Sequence, residues 1–199
     1  MAKPPKEGKL IYNLTSIDNL ESIFNNWLLP RDVIKYFIDV ADKDIIELRK
    51  EKKLNNLVPF HFFAANPFDG AVQLGHPNKK FIFITLERTY AKKNGFKILP
   101  KHPLALDDCL LMDYDAGIEK IDWEKMSERD YSDNECKETC LAECLSDKKI
   151  DAKNFYAIFV KYEETKEFVI HLRDQIIGKN NSFYVNVLSN IFVKWLVIL

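Results

Sequence analysis

A single α+β domain built on a mainly antiparallel, split β-sheet is the fold this sequence predicts, and three observations predict it. Apolar runs of strand length, residues 58–63, 80–86 and 155–160, alternate with segments of helical spacing. Aromatic residues are plentiful, at 14 Phe, 8 Tyr and 3 Trp, and glycines scarce at 6, a mix that suits a sheet-and-helix core and argues against disorder. At 199 residues the chain holds one sizeable core, residues 1–199 form one domain, and no linker, repeat or low-complexity segment divides it.

In chain order, residues 1–9 are expected as a flexible polar tail and 10–14 as a short alternating strand. Thr15 or Ser16 then caps a helix that carries Leu20, Ile23, Phe24 and Leu28 and stops at Pro30. Residues 32–53 read as a second helical region, with Val33, Tyr36, Phe37, Val40, Ile45 and Leu48 apolar and a charged run from Arg49 to Lys53. In the strand 58–63, Pro59 stands near the start, where a missing N–H is tolerable. Turn formers at Asn66-Pro67, Asp69-Gly70, Gly75 and His76-Pro77 place residues 64–77 in a surface loop with a short helix. The strand 80–86 follows, then a polar stretch over 100–135 without a strong period. A helix over 136–147, a strand over 155–160 and a helix over 163–177, with Phe168, Ile170 and Leu172 inward, lead to closing strands at 183–187 and 191–199.

Net charge is −1, so no global basic field draws the chain to nucleic acid. A nucleic-acid substrate would have to meet a local basic surface or be a short single strand. The N-terminus lacks the apolar run of a signal peptide, and no stretch reaches the roughly 20 apolar residues that span a bilayer; a cytoplasmic location is the expectation. Of the four cysteines, Cys109, Cys136, Cys140 and Cys144, the last three recur every four residues. Without CxxC pairs or a nearby histidine they read as reduced thiols packed against the core, and no metal is expected.

No GxGxxG, GxxxxGK[ST], GxSxG or HExxH occurs, which argues against a Rossmann dehydrogenase, P-loop NTPase, α/β-hydrolase or zincin. With so few glycines, a phosphate-bearing ligand would rest on strand-end amides, a helix start and side chains. The turn at Leu14-Thr15-Ser16 offers such groups, or else is a plain capped connection. Arg49 is either one of several solvated cations or a bidentate anion binder. Glu143, in Leu141-Ala142-Glu143-Cys144-Leu145, is either an exposed acid or a desolvated carboxylate able to hold a ribose hydroxyl and steady an oxocarbenium ion. His61 and His102 are structural, or line a base pocket and carry a proton.

These pieces fall in an order that resembles the DarT family of DNA ADP-ribosyltransferase toxins. Lys9-Leu10-Ile11-Tyr12-Asn13-Leu14-Thr15-Ser16-Ile17-Asp18-Asn19-Leu20 is similar to the family's opening segment, and Arg49 stands where the family has an essential arginine. Val58-Pro59-Phe60-His61-Phe62, Ile121-Asp122-Trp123, Arg129-Asp130-Tyr131 and Leu141-Ala142-Glu143-Cys144-Leu145 resemble its later segments, so the likeness spans residues 9–170.

The resemblance implies an ADP-ribosyltransferase-like fold with an NAD+ cleft. It implies transfer of ADP-ribose from NAD+ to a base of single-stranded DNA, and a macrodomain antitoxin as partner. Carried over, Glu143 and Arg49 are catalytic, and Tyr12, Asn13, Leu14, Thr15, Ser16 and Asn19 join Arg49 in holding NAD+. His61, Asn66, Phe68 and His102 would meet the substrate. Ser16 replaces the family's histidine, and the loop after Phe62 departs from the family, which leans the expected base towards guanine over thymine. An acceptor in RNA or protein, or a non-catalytic nucleotide-binding module, are the alternatives.

Overall fold

β1 (Leu10–Ser16) becomes a central strand because Ile11 and Leu14 enter cores on its opposite faces and both of its edges are paired. The computed structural model describes residues 3–35, 37–40, 43–105, 111–180 and 183–193. Its other strands are β2 (Val58–His61), β3 (Phe81–Glu87), β4 (Lys97–Leu99), β5 (Met112–Asp113), β6 (Glu143–Ser146), β7 (Ala157–Val160) and β8 (Tyr184–Val187). Together they form one eight-stranded sheet in the order β5-β4-β6-β2-β1-β3-β7-β8, antiparallel throughout except for the β7–β8 pair. The helices are α1 (Leu20–Asn26), α2 (Lys43–Glu51), α3 (Pro67–Gly75), α4 (Arg88–Lys93), α5 (Tyr114–Lys120), α6 (Trp123–Glu128), α7 (Asn134–Cys140) and α8 (Glu163–Ile176).

The run Phe81-Ile82-Phe83-Ile84 is continuously apolar because β3 is covered on both sides. Ile82, Ile84 and Leu86 enter the main core with Ile11, Val58 and Phe60, whereas Phe81 and Phe83 join Leu14 and the α3 residue Val72 on the opposite face. The expected split is present as a seam, not as two separate sheets. β1 pairs with β3 at seven positions but with β2 only at Tyr12↔His61. Continued in register, Leu14 would face Pro59, which has no N–H to donate. The Pro59 carbonyl instead accepts the Asn13 side-chain amide at 2.9 Å. The strands part there, and the opening becomes the cavity described below.

Several expectations change. The tail is not free from residue 5 onward: Pro5–Glu7 forms a 3-10 turn whose carbonyls accept Arg88 Nη2 at 2.8 Å from Pro5 and Nη1 at 3.3 Å from Lys6. The helix expected over 136–147 ends at Cys140, and Glu143–Ser146 is the strand β6. Cys144 and Leu145 enter different cores, as a strand between β2 and β4 requires, and spacing by four had suited a helix equally. Cys136, Cys140 and Cys144 are buried free thiols, but they do not share one helix face; Cys109 lies outside the described residues. In α8 Thr165 and Val169 are buried and Ile170, Leu172 and Ile176 pack against the core, as expected for Ile170 and Leu172, whereas Phe168 is 51% exposed.

Among its described residues the region 32–53 contains a 3-10 turn, Arg31–Val33, and α2; Tyr36 and residues 41–42 lie outside those described. The stretch 100–135, expected as irregular, contains β5, α5 and α6. Of the strand expected over 191–199, Ile191 lies in a 3-10 turn and residues 194–199 are outside those described. No described helix is long and apolar enough to cross a membrane.

Gly117 lets α5 lie directly on β4, since an added Cβ would collide with the Ile98 side chain. Gly117→Ala is therefore expected to destabilise the fold by about 1–3 kcal/mol through overpacking, read as a lower urea midpoint at unchanged slope.

Candidate active site

The row Tyr12–His61–Glu143–Leu99 runs across β1, β2, β6 and β4, and it brings Glu143 to the seam. Arg49 arrives from the last turn of α2. Its Nη1 donates to both carboxylate oxygens of Glu143, at 2.6 and 2.9 Å, and both side chains are buried. Burial alone would raise the Glu143 carboxyl, but the Arg49 guanidinium outweighs it and holds the group below its ordinary value. Arg49 Nη2 is buried without a hydrogen-bond partner among the described residues. One guanidinium nitrogen thus holds the carboxylate, and the other is left for something else.

His61 lies beside the pair. Burial pushes its pKa down, against the Glu143 carboxylate and the Ala142 carbonyl. Its Nδ1 is 3.3 Å from that carbonyl, which only accepts, so Nδ1 carries the hydrogen and Nε2 is left as an acceptor. The Phe68 ring tilts against His61, with centroids 5.5 Å apart. Burial also lowers the pKa of His102.

Asn13, Leu14, Thr15, Asn19, Arg49, His61, Phe68, His102 and Glu143 line one cavity of about 130 Å³. Phe68 and His102 also border a wider neighbouring hollow of about 670 Å³ between α3 and α7. Asn19 fixes one wall: its Nδ2 donates to Thr15 Oγ1 and to the Ile38 carbonyl, and its Oδ1 accepts the Ile38 N–H at 2.9 Å.

Three expected residues are placed elsewhere. Tyr12 packs edge-on against Phe83 in the second core. Ser16 caps the turn at Ile17–Asn19, with Oγ bonded to the Asp18 carboxylate at 3.0 Å and its side chain fully buried. Asn66 is the N-cap of α3, in a reciprocal capping box with Asp69, and also donates to the Phe63 carbonyl. The short polar residues that suggested ligand contact are used to cap elements instead.

Sequence reasoning overlooked two residues. Arg31, ion-paired to Asp39 at 3.0 Å, lines the cavity, and its pKa is lowered by burial and then by repulsion from Arg49. Asn55 lines it too, with Oδ1 buried and unpartnered among the described residues. The available signal was an asparagine between Leu54 and Leu57, which are both buried.

Burial pushes the Asp69 carboxyl up to about 8, against the N–H groups of Asn66 and Ala65. The folded state then binds a proton that the unfolded chain has released above its value of 3.8. Stability from this group is complete below pH 3.8 and is lost as pH rises to about 8. Asp69→Asn is expected to flatten that decline, read from urea midpoints at pH 5 and pH 8.

Residues 12–192 match the family model described as "ssDNA thymidine ADP-ribosyltransferase, DarT". Among solved structures, Thermus sp. 2.9 DarT in complex with ADP-ribosylated ssDNA superposes with a TM-score of 0.81 at 20% identity, over 97% of this chain and 100% of that one. The same protein in complex with NAD+ gives 0.76 at 19%, over 94% and 98%. Thermosipho africanus DarTG in complex with ADP-ribose gives 0.71 at 18%, over 92% of this chain but 51% of that one. At these identities the structural likeness is one of fold. No curated protein matches the chain.

Proposed function

The chain belongs to the DarT family of single-stranded-DNA ADP-ribosyltransferases, and from that premise we propose that it moves ADP-ribose from NAD+ to a thymine of single-stranded DNA and releases nicotinamide. The observation that carries this reading is the buried Arg49–Glu143 pair, which keeps an ionised carboxylate inside a cavity built at a strand seam. The solved relatives in complex with NAD+ and with ADP-ribosylated ssDNA support a substrate and a product of that reaction.

In the proposed reaction the Glu143 carboxylate accepts a hydrogen bond from the hydroxyl of the nicotinamide ribose. That bond strengthens as the C1′–N bond to nicotinamide breaks and positive charge spreads over the sugar ring. Nicotinamide leaves with the bonding pair and becomes neutral. A ring nitrogen of the acceptor base then attacks C1′ and gives up its proton, for which Nε2 of the neutral His61 is a suitable acceptor. Arg49 holds Glu143 ionised and offers Nη2 to the dinucleotide. Asn13, Leu14 and Thr15 meet the nicotinamide end at the seam, while Phe68 and His102 face the acceptor.

The guanine expected from the loop after Phe62 finds no support; the family description names thymidine, and we adopt that base. A macrodomain antitoxin that removes the ADP-ribose is the proposed partner, in keeping with the DarTG relative, whose chain is about twice the span matched here. The whole chain, residues 1–199, acts as one domain on DNA in the cytoplasm.

The test supplies labelled NAD+ with single-stranded oligonucleotides whose only variable base is thymine or guanine. Label on the thymine strand, with nicotinamide released in equal amount, is expected. Label on the guanine strand alone overturns the base, and label only on RNA or protein overturns the acceptor.

A further inference from the structure

Trp27 closes α1, and its backbone adopts φ 69° and ψ 167°, a conformation that only glycine takes without strain. A large side chain held there needs a return from its contacts. Core packing does not supply one, because Trp27 is 40% exposed and belongs to none of the hydrophobic clusters of the described residues. Trp27 does line the cavity, as do Ser22 and Arg31, and Lys149 Nζ lies 3.6 Å from its ring centroid. A flat aromatic surface beside this cavity suits stacking against a base.

We propose that Trp27 is the adenine platform of this site, with the diphosphate of the dinucleotide running between the guanidinium groups of Arg49 and Arg31. The proposal deepens the NAD+ reading above and rests on it. Arg31 now pairs with Asp39, and Arg49 with Glu143 through one nitrogen only. Two cations that line one cavity accommodate a dianion better than they accommodate each other. The nicotinamide ribose at Glu143 and the adenine at Trp27 would then span the cavity from β6 to α1. Lys149 leaves the other face of the ring for the base.

The experiment titrates the full chain with ADP-ribose, and separately with AMP, following tryptophan fluorescence and its loss in Trp27→Phe. Quenching is expected in the wild type and absent in Trp27→Phe. Trp27→Gly, which relieves the backbone, is expected to melt no lower than wild type. It should bind ADP-ribose roughly tenfold or more weakly, in line with the loss of one base–aromatic stack. With NAD+ as substrate the loss falls on KM. Unchanged ADP-ribose affinity in Trp27→Gly overturns the proposal, and so does a lower melting temperature with the binding loss, which marks a structural role. The two readings fail separately. Trp27-dependent quenching without DNA labelling keeps the platform and sinks the acceptor. DNA labelling with an unchanged KM in Trp27→Gly keeps the acceptor and sinks the platform.

Discussion

Glu143→Gln is expected to cut the yield of labelled DNA by about two to three orders of magnitude, the usual consequence of removing one group aimed at developing charge. Glutamine keeps the shape and can still accept a hydrogen bond from Arg49 Nη1, but the buried guanidinium loses its counter-charge. The variant is therefore expected to melt lower, and its activity is read below its own melting temperature. The loss should appear in kcat measured at saturating NAD+, with nicotinamide release and DNA labelling falling together. Release that continues without DNA labelling would mean that Glu143 serves the acceptor alone, and would remove the carboxylate from C1′–N cleavage.

Arg49→Met is expected to lose activity and also to destabilise the protein by about 3–5 kcal/mol, because Glu143 is left as a buried carboxylate without its counter-charge. With burial unopposed by the guanidinium, the Glu143 pKa rises above its unfolded value. The variant is then most stable in acid and weakens as pH rises, whereas in the wild type the lowered pKa makes the pair's contribution present above about 4.5 and lost below it. Arg49→Met combined with Glu143→Leu should regain most of the stability and none of the activity. Arg49→Lys separates the two duties, since one nitrogen suffices for the ion pair but not for the free Nη2. Wild-type turnover in Arg49→Lys would show that Nη2 has no ligand.

The strands with continuous apolar runs were legible because burial on both faces leaves only one reading of Phe81-Ile82-Phe83-Ile84. The cysteine spacing was ambiguous: a recurrence every four residues fits a helix, and it also fits a helix that stops at Cys140 and a strand that starts at Glu143. Arg49 and Glu143 were reached through the ordered likeness to a family, not through local pattern, since a charged run after Leu48 looks solvated. Their contact across 94 residues of chain is a matter of topology. Asn66 and Ser16 show the limit of residue chemistry, since a short polar side chain beside a helix start caps it before it serves a ligand. Trp27 gave no signal, because its strained dihedrals exist only in the fold.

The lone Tyr12↔His61 rung between β1 and β2 sets tightness and turnover against each other at one place. Replacing Pro59 by a residue with an N–H would invite further rungs to form, and each would firm the middle of the sheet while pinching the hollow in which NAD+ is proposed to sit. Laboratory selection for heat resistance alone should therefore drift towards a zipped, inert form, and selection that also demands toxicity should hold the proline.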